Sequence, residues 1–426
     1  MITFYFFSVK MLTLLVIFTR EISMKNKTFG SALLVAGTTI GAGMLAMPLT
    51  SAEMGFTYTL ILLFILWGLL SYSALLFVEV YQKAETKNAG IATLAEQYFG
   101  LPGRILATFS LVIFMYAILS AYVTGGGSLL SSILPFLGEY ATQISIVLFT
   151  LVLGIFIVIS TSAVDLLTRF LFIIKLIAFL FVLLMMLPLV KSENLMAMPL
   201  KDFLIISASP VFFTSFGFHV IIPSINSYLD GDIRRLRIAI ITGTAIPLVA
   251  YIIWQMATHG VFPQTQFVEI INSDPTLNGL ITATHQATDS SVISIAMRLF
   301  FTLALITSFL GVALSLFDCL YDLLKRVKIK ANRISLGVLT FLPPLVFALF
   351  YPEGFVMALG YAGQMFTFYG LVLPVGMAWR ARKIYPDLPY HVIGGRITLL
   401  GALILGLLIM NVPFLIKAGY LPTVIG

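Results

Sequence analysis

The chain has 426 residues, 60% of them hydrophobic and only 10% charged; an ordinary soluble domain carries roughly 25% charged residues, and no soluble core absorbs such an apolar excess. The net charge of +7 follows membrane topology, as set out below, and is not a nucleic-acid signal. A single cysteine, Cys319, excludes an intramolecular disulfide and a cysteine metal cluster, and the four histidines form no H-x-x-x-H pair. No facing catalytic set stands out, so the chain is not expected to be an enzyme.

The apolar residues come in about eleven blocks of roughly 17 to 30, the length a helix needs to cross a bilayer core of about 30 Å. Runs such as Leu60 to Leu70 and Phe170 to Leu187 lack the alternation of an outer-membrane barrel strand. The chain therefore reads as an all-α membrane protein with 11 transmembrane helices, at about 29–49, 58–80, 105–134, 144–160, 168–190, 203–228, 237–257, 292–321, 334–351, 354–379 and 396–417. Residues 1–23 form an N-terminal extension that is either signal-like or a further helix, since Lys10 interrupts an otherwise apolar run. A single transmembrane domain is expected over 24–426.

Short cytoplasmic loops accumulate Lys and Arg. Most of the basic residues fall into connections on one predicted side: Lys25 and Lys27, Lys83 and Lys87, Arg104, Arg169, Arg234 to Arg237, Lys325 to Arg333, and Arg380 to Arg396. That side is expected to be cytoplasmic together with the N-terminus, which leaves the C-terminus periplasmic after eleven crossings. The longest connection, about His259 to Ser291, has no Lys or Arg and fits an external loop.

Two spans carry helix-breaking residues near their middle. The first holds Gly37-Thr38-Thr39-Ile40-Gly41-Ala42-Gly43 and Pro48; the sixth holds Ser209-Pro210, Ser215-Phe216-Gly217-Phe218-His219 and Pro223. Glycine relaxes the backbone and proline removes a donor, and unwound backbone at that depth is tolerated only against a protein-lined cavity. Paired breaks in corresponding positions point to an inverted-repeat transporter site; the competing reading of Gly37, Gly41 and Gly43 is close helix packing.

A zwitterion fits such a pair. Free N–H groups at the start of a second half-helix bind a carboxylate, and the last carbonyls of a first half accept an ammonium. The substrate-binding expectation falls on Thr38, Ile40, Gly41, Ala42 and Gly43, with Ser215, Phe216 and Gly217 completing the ammonium site. Phe216 and Phe218 are expected to line an aromatic pocket that Tyr122 caps. Ionisable groups inside apolar spans are functional suspects. Lys175 is expected to take and release the coupling proton, against a snorkelling alternative. Glu79 either bridges the unwound segments or meets the headgroups, and His219 either relays protons or is a structural histidine. Asp318 and Asp322, followed by Lys325 and Arg326, read as a salt-bridge face.

The run Val35-Ala-Gly-Thr-Thr-Ile-Gly-Ala-Gly-Met-Leu-Ala-Met-Pro48 resembles the opening helix of the hydroxy and aromatic amino acid permease family, within the amino acid-polyamine-organocation superfamily. Leu75 to Gln82, Ala121 to Ser128, Ser215 to His219 with Pro223-Ser224, Ala245 to Tyr251 and Gly311 to Asp318 resemble the same family in the same order. The resemblance implies a LeuT-type fold of two inverted five-helix repeats, about 28–190 and 203–380, with an extra helix at 396–417. It implies proton-driven uptake of an aromatic amino acid, tyrosine first and tryptophan or a broader aromatic and hydroxy set next, across the bacterial inner membrane. No cofactor, nucleic acid or obligate protein partner is implied beyond the bilayer. Val220-Ile221-Ile222, after His219, is bulkier than the family pattern. Thr307 and Ser308 with the carbonyls of Gly37 and Ile40 keep a sodium-coupled version open, and a sensor or channel built on the same pocket is the reading from another class.

Overall fold

The computed structural model describes residues 27–87, 89–159 and 161–424. The N-terminal extension over 1–23 lies outside the described residues. All regular structure among them is helical, and ten helices are long and apolar enough to cross a bilayer, with an eleventh span made of a bent pair. That pair is α1 (Lys27–Thr39) and α2 (Gly43–Ser51), inclined by 52° to one another.

The chain continues through α3 (Phe56–Tyr81), α4 (Ile91–Ser131), α5 (Ala141–Ile159) and α6 (Thr161–Met186) to a short helical turn, α7 (Ser192–Leu195). The sixth span is α8 (Leu204–Ser215) followed by α9 (Ile222–Tyr228), with non-helical residues and a 3-10 turn between them. Then come α10 (Ile233–Val261), α11 (Gln264–Ser273), α12 (Leu277–Thr288), α13 (Ser291–Arg326) and α14 (Arg333–Phe350). The tenth span is α15 (Phe355–Thr367) joined by a π-helical turn at Phe368–Val372 to α16 (Leu373–Ile384), and α17 (Gly395–Lys417) is the last.

Local chemistry explains the starts. Asp232, Thr276, Ser290 and Asn332 each accept a hydrogen bond from a backbone N–H two or three residues on, satisfying donors that a helix leaves free. The predicted spans match closely, with two differences. α4 begins earlier than expected, because residues 91–99 form a lead-in turned at Gly100, whose φ of 69° suits glycine. The long connection without Lys or Arg is folded into α11 and α12, which bury Phe267, Ile271, Leu277 and Leu280 against the bundle; its short apolar faces have the spacing of surface helices, not of spans.

The lipid-facing surface is apolar, with Ile155, Phe170 and Ile404 exposed, whereas the centre is packed with large rings including Tyr251, Trp254, Phe216 and Phe300. Glu79 is corrected here: it neither reaches the unwound segments nor meets the headgroups. It is fully buried at the end of α3, where Arg382 of α16 donates Nε and Nη2 to its carboxylate at 2.6 and 2.8 Å and the Val392 N–H donates at 2.8 Å. A buried carboxylate needs such partners. The salt-bridge face expected of Asp318 and Asp322 does not form among the described residues: Lys325 instead lies over the Tyr321 ring, 5.9 Å from its centre.

Candidate functional site

The break between α1 and α2 exposes the peptide groups of residues 39 to 43, and three side chains from three other helices hold them. Lys175 of α6 donates Nζ to the Ile40 carbonyl at 3.0 Å. Ser308 of α13 accepts the Ala42 N–H at 3.1 Å, and Tyr251 of α10 directs its hydroxyl at the Thr39 carbonyl at 2.7 Å. The N–H groups of Gly41 and Gly43 find no acceptor among the described residues. They stand at the positive end of α2 and suit an anion.

The second break, at Phe216 to Phe218, lies directly against the first. Tyr251 also points its hydroxyl at the Ser215 carbonyl at 2.7 Å. A Cβ on Gly43 would stand 3.1 Å from Ser215 Oγ and 3.2 Å from Ser215 Cα, so glycine is what lets the two segments meet. Gly125, Gly126 and Gly127 do different work: rings and side chains of Phe355, Phe149 and Ile146 occupy the space their Cβ atoms would take, so this triplet packs α4 against its neighbours.

A cavity of about 510 Å³ opens between the breaks, within the range of small-molecule sites. Of the expected residues, Thr38, Ile40, Gly41, Gly43, Tyr122, Ser215, Gly217 and Lys175 line it. Tyr122 stands beside Ser308 on its wall. Ala42 contributes its backbone to the break without lining the cavity.

Phe216 and Phe218 do not line it. Phe216 meets the Tyr251 ring edge-on at 5.1 Å, and Phe218 covers His219 at 4.6 Å. Phe216, which closes α8, and Phe218, which precedes a 3-10 turn at His219–Ile221, are both buried at the back of the break. The apolar walls come from Phe114, Ile118 and Phe172, with Val220 and Ile221 of the bulkier segment. His219 is fully buried among Phe77, Phe218 and Phe366 and does not reach the cavity. Neither of its ring nitrogens makes a hydrogen bond of full geometry, although the Leu70 backbone faces the ring.

Among the described residues, Lys175 is the one charged side chain in the cavity wall. No carboxylate balances a further cation there, which favours a guest with no net charge. The cavity is one-sided. Leu33, Leu34 and Thr38 of α1 and Gly311 and Ser315 of α13 line its exposed half and point to the face where basic residues gather. Every residue of α2 is buried on the other side. There Ser51 Oγ meets His259 Nε2 at 2.8 Å, and Lys201 donates to both oxygens of Glu53 at 2.8 and 2.9 Å.

The sequence model of the tryptophan/tyrosine permease family matches residues 24–413. The chain belongs to this family. It is 60% identical over 402 residues to "Tyrosine-specific transport system 1" of Haemophilus influenzae, covering 94% of this chain and 100% of that protein. Identity is also 60% over 405 residues to "Tyrosine-specific transport system 2" of the same organism, at 95% and 100% coverage. A "Tryptophan-specific transport protein" from that organism is 34% identical over 391 residues, at 89% and 93% coverage.

Two permease residues at the breaks escaped the sequence reading as site groups. Ser308 was weighed only as a sodium ligand, and Tyr251 only as part of a resembling stretch. The available signal for Tyr251 is a phenol in the interior of an apolar span, where a buried hydroxyl must find an acceptor.

Proposed function

We propose that this permease is a secondary active transporter that takes up a neutral aromatic amino acid, tyrosine first, by symport with protons across the bacterial inner membrane. The basic face is cytoplasmic, which places the C-terminus in the periplasm. The observation that carries the reading is the meeting of two broken helices at one cavity, with the Lys175 ammonium on the Ile40 carbonyl. The identity to tyrosine-specific transport systems over nearly the whole chain supports the substrate class.

The residues divide the work. The substrate carboxylate takes the N–H groups of Gly41 and Gly43 at the start of α2, and the substrate ammonium takes a carbonyl where α1 and α8 end. The ring lies against Phe114, Ile118 and Phe172, with Tyr122 beside it. Charged Lys175 satisfies the Ile40 carbonyl and fixes the angle between α1 and α2. When its proton leaves toward the cytoplasm, that carbonyl loses its charged donor, and α1 is free to move relative to α2. A sodium ion placed between α1, α6 and α13 would have to share the Ile40 carbonyl with this ammonium, which is why the proton version is preferred.

The test is uptake of radiolabelled tyrosine into proteoliposomes with proton and sodium gradients imposed separately. Accumulation driven by the proton gradient alone is expected. Accumulation that requires sodium would overturn the coupling, and downhill flux insensitive to either gradient would indicate a channel.

A further inference from the structure

Tyr251 sits behind both breaks, fully buried and outside the cavity wall, while the residues whose carbonyls it addresses, Thr39 and Ser215, line that wall. Thr39 ends α1 and Ser215 ends α8. Their carbonyls are among those that a helix terminus leaves without a partner, and at this depth bulk water does not supply one. The phenol is 2.7 Å from each. It has one proton to give. The two acceptors therefore share a single donor, and one of them is always undersatisfied. The ring is held in place by the edge of Phe216 at 5.1 Å, so the hydroxyl cannot follow one carbonyl away from the other without disturbing the second break.

Resting on the symport reading and deepening it, we propose that Tyr251 is a positioning residue that keeps these two helix-end carbonyls converged and leaves one of them for the α-ammonium of the substrate. In the empty site the phenolic proton is shared. When substrate binds, its ammonium takes one carbonyl and the phenol commits to the other, so both acceptors are satisfied only in the loaded state. The group recognised through Tyr251 is thus the ammonium, and not the ring or the carboxylate. A ligand that keeps the ring and carboxylate but lacks the ammonium gains nothing from it.

The experiment compares tyrosine with 3-(4-hydroxyphenyl)propanoate, its deaminated counterpart, on wild type and Tyr251→Phe. Binding is read by ligand-induced thermal shift of the purified full-length protein, and uptake by proteoliposome kinetics. Tyr251→Phe is expected to weaken tyrosine binding and raise its KM by roughly tenfold, the scale of one hydrogen bond to a charged group, with kcat nearly unchanged and affinity for the deaminated compound unaltered. Equal weakening for both ligands, or no change for tyrosine, overturns the proposal. A second variant guards against misfolding: 3-fluorotyrosine placed at 251 keeps shape and hydroxyl while strengthening the donor, and must shift tyrosine affinity without shifting that of the deaminated compound. Because binding needs no gradient, a wild type that binds tyrosine but does not pump it with protons defeats the symport reading while this comparison still decides the role of Tyr251.

Discussion

Lys175 Nζ lies 3.0 Å from the Ile40 carbonyl and 4.3 Å from the centre of the Phe172 ring, so one ammonium joins α6 to the break in the first span at the edge of the cavity. A charge that deep is costly unless it is used. Lys175→Ala is expected to abolish proton-driven accumulation while tyrosine exchange across the membrane persists within a few-fold. Lys175→Arg separates charge from proton release, because a guanidinium stays protonated: it should hold Ile40 and bind substrate, yet fail to accumulate it. Uphill uptake by either variant would remove Lys175 from the coupling step.

The contact between Gly43 and Ser215 sets a second expectation. Gly43→Ala places a methyl within 3.2 Å of the Ser215 backbone, and neither broken segment can yield without shifting the carboxylate and ammonium sites together. Misplacement on this scale should lower kcat/KM for tyrosine by roughly ten- to a hundredfold. Gly68→Ala, where nothing lies within 4 Å, should leave uptake unchanged in the same assay.

The spans and both breaks were legible in the sequence because bilayer thickness fixes helix length and because glycine and proline weaken a helix locally. Lys175 was legible for the cost of its charge. The aromatic wall was not: nothing in the local pattern separates Phe114, which lines the cavity, from Phe216, which backs it, since each ring packs against a partner far along the chain, Phe366 for Phe114 and Tyr251 for Phe216. Glu79 was misjudged for a related reason. Its partner Arg382 lies 303 positions along the chain, and a pairing over that separation leaves no local periodicity to read.

That pairing predicts a stability effect away from the cavity. Arg382 and Glu79 are both well enclosed, at 16% and 0% side-chain exposure, and removing one partner from a buried ion pair costs about 3–5 kcal/mol. Glu79→Ala should markedly lower the unfolding temperature of the purified protein. A Glu79→Met, Arg382→Met double variant should recover much of the loss, and the KM of whatever protein folds should stay near wild type, because neither residue lines the cavity.

The one-sided cavity makes a prediction about access. Ser315 is exposed on the half of α13 nearer the basic face, whereas Met47, in α2, is fully buried on the opposite side. Single cysteines are placed at each position in a Cys319→Ala background, which removes the chain's one native thiol. A membrane-impermeant maleimide should label Ser315→Cys in inside-out vesicles and leave Met47→Cys unlabelled in right-side-out cells. Adding tyrosine should slow labelling at Ser315→Cys, because the ligand sits between that position and the breaks. Labelling of Ser315→Cys from the outside of intact cells would reverse the orientation assigned to the basic face, and with it the direction in which Lys175 releases its proton.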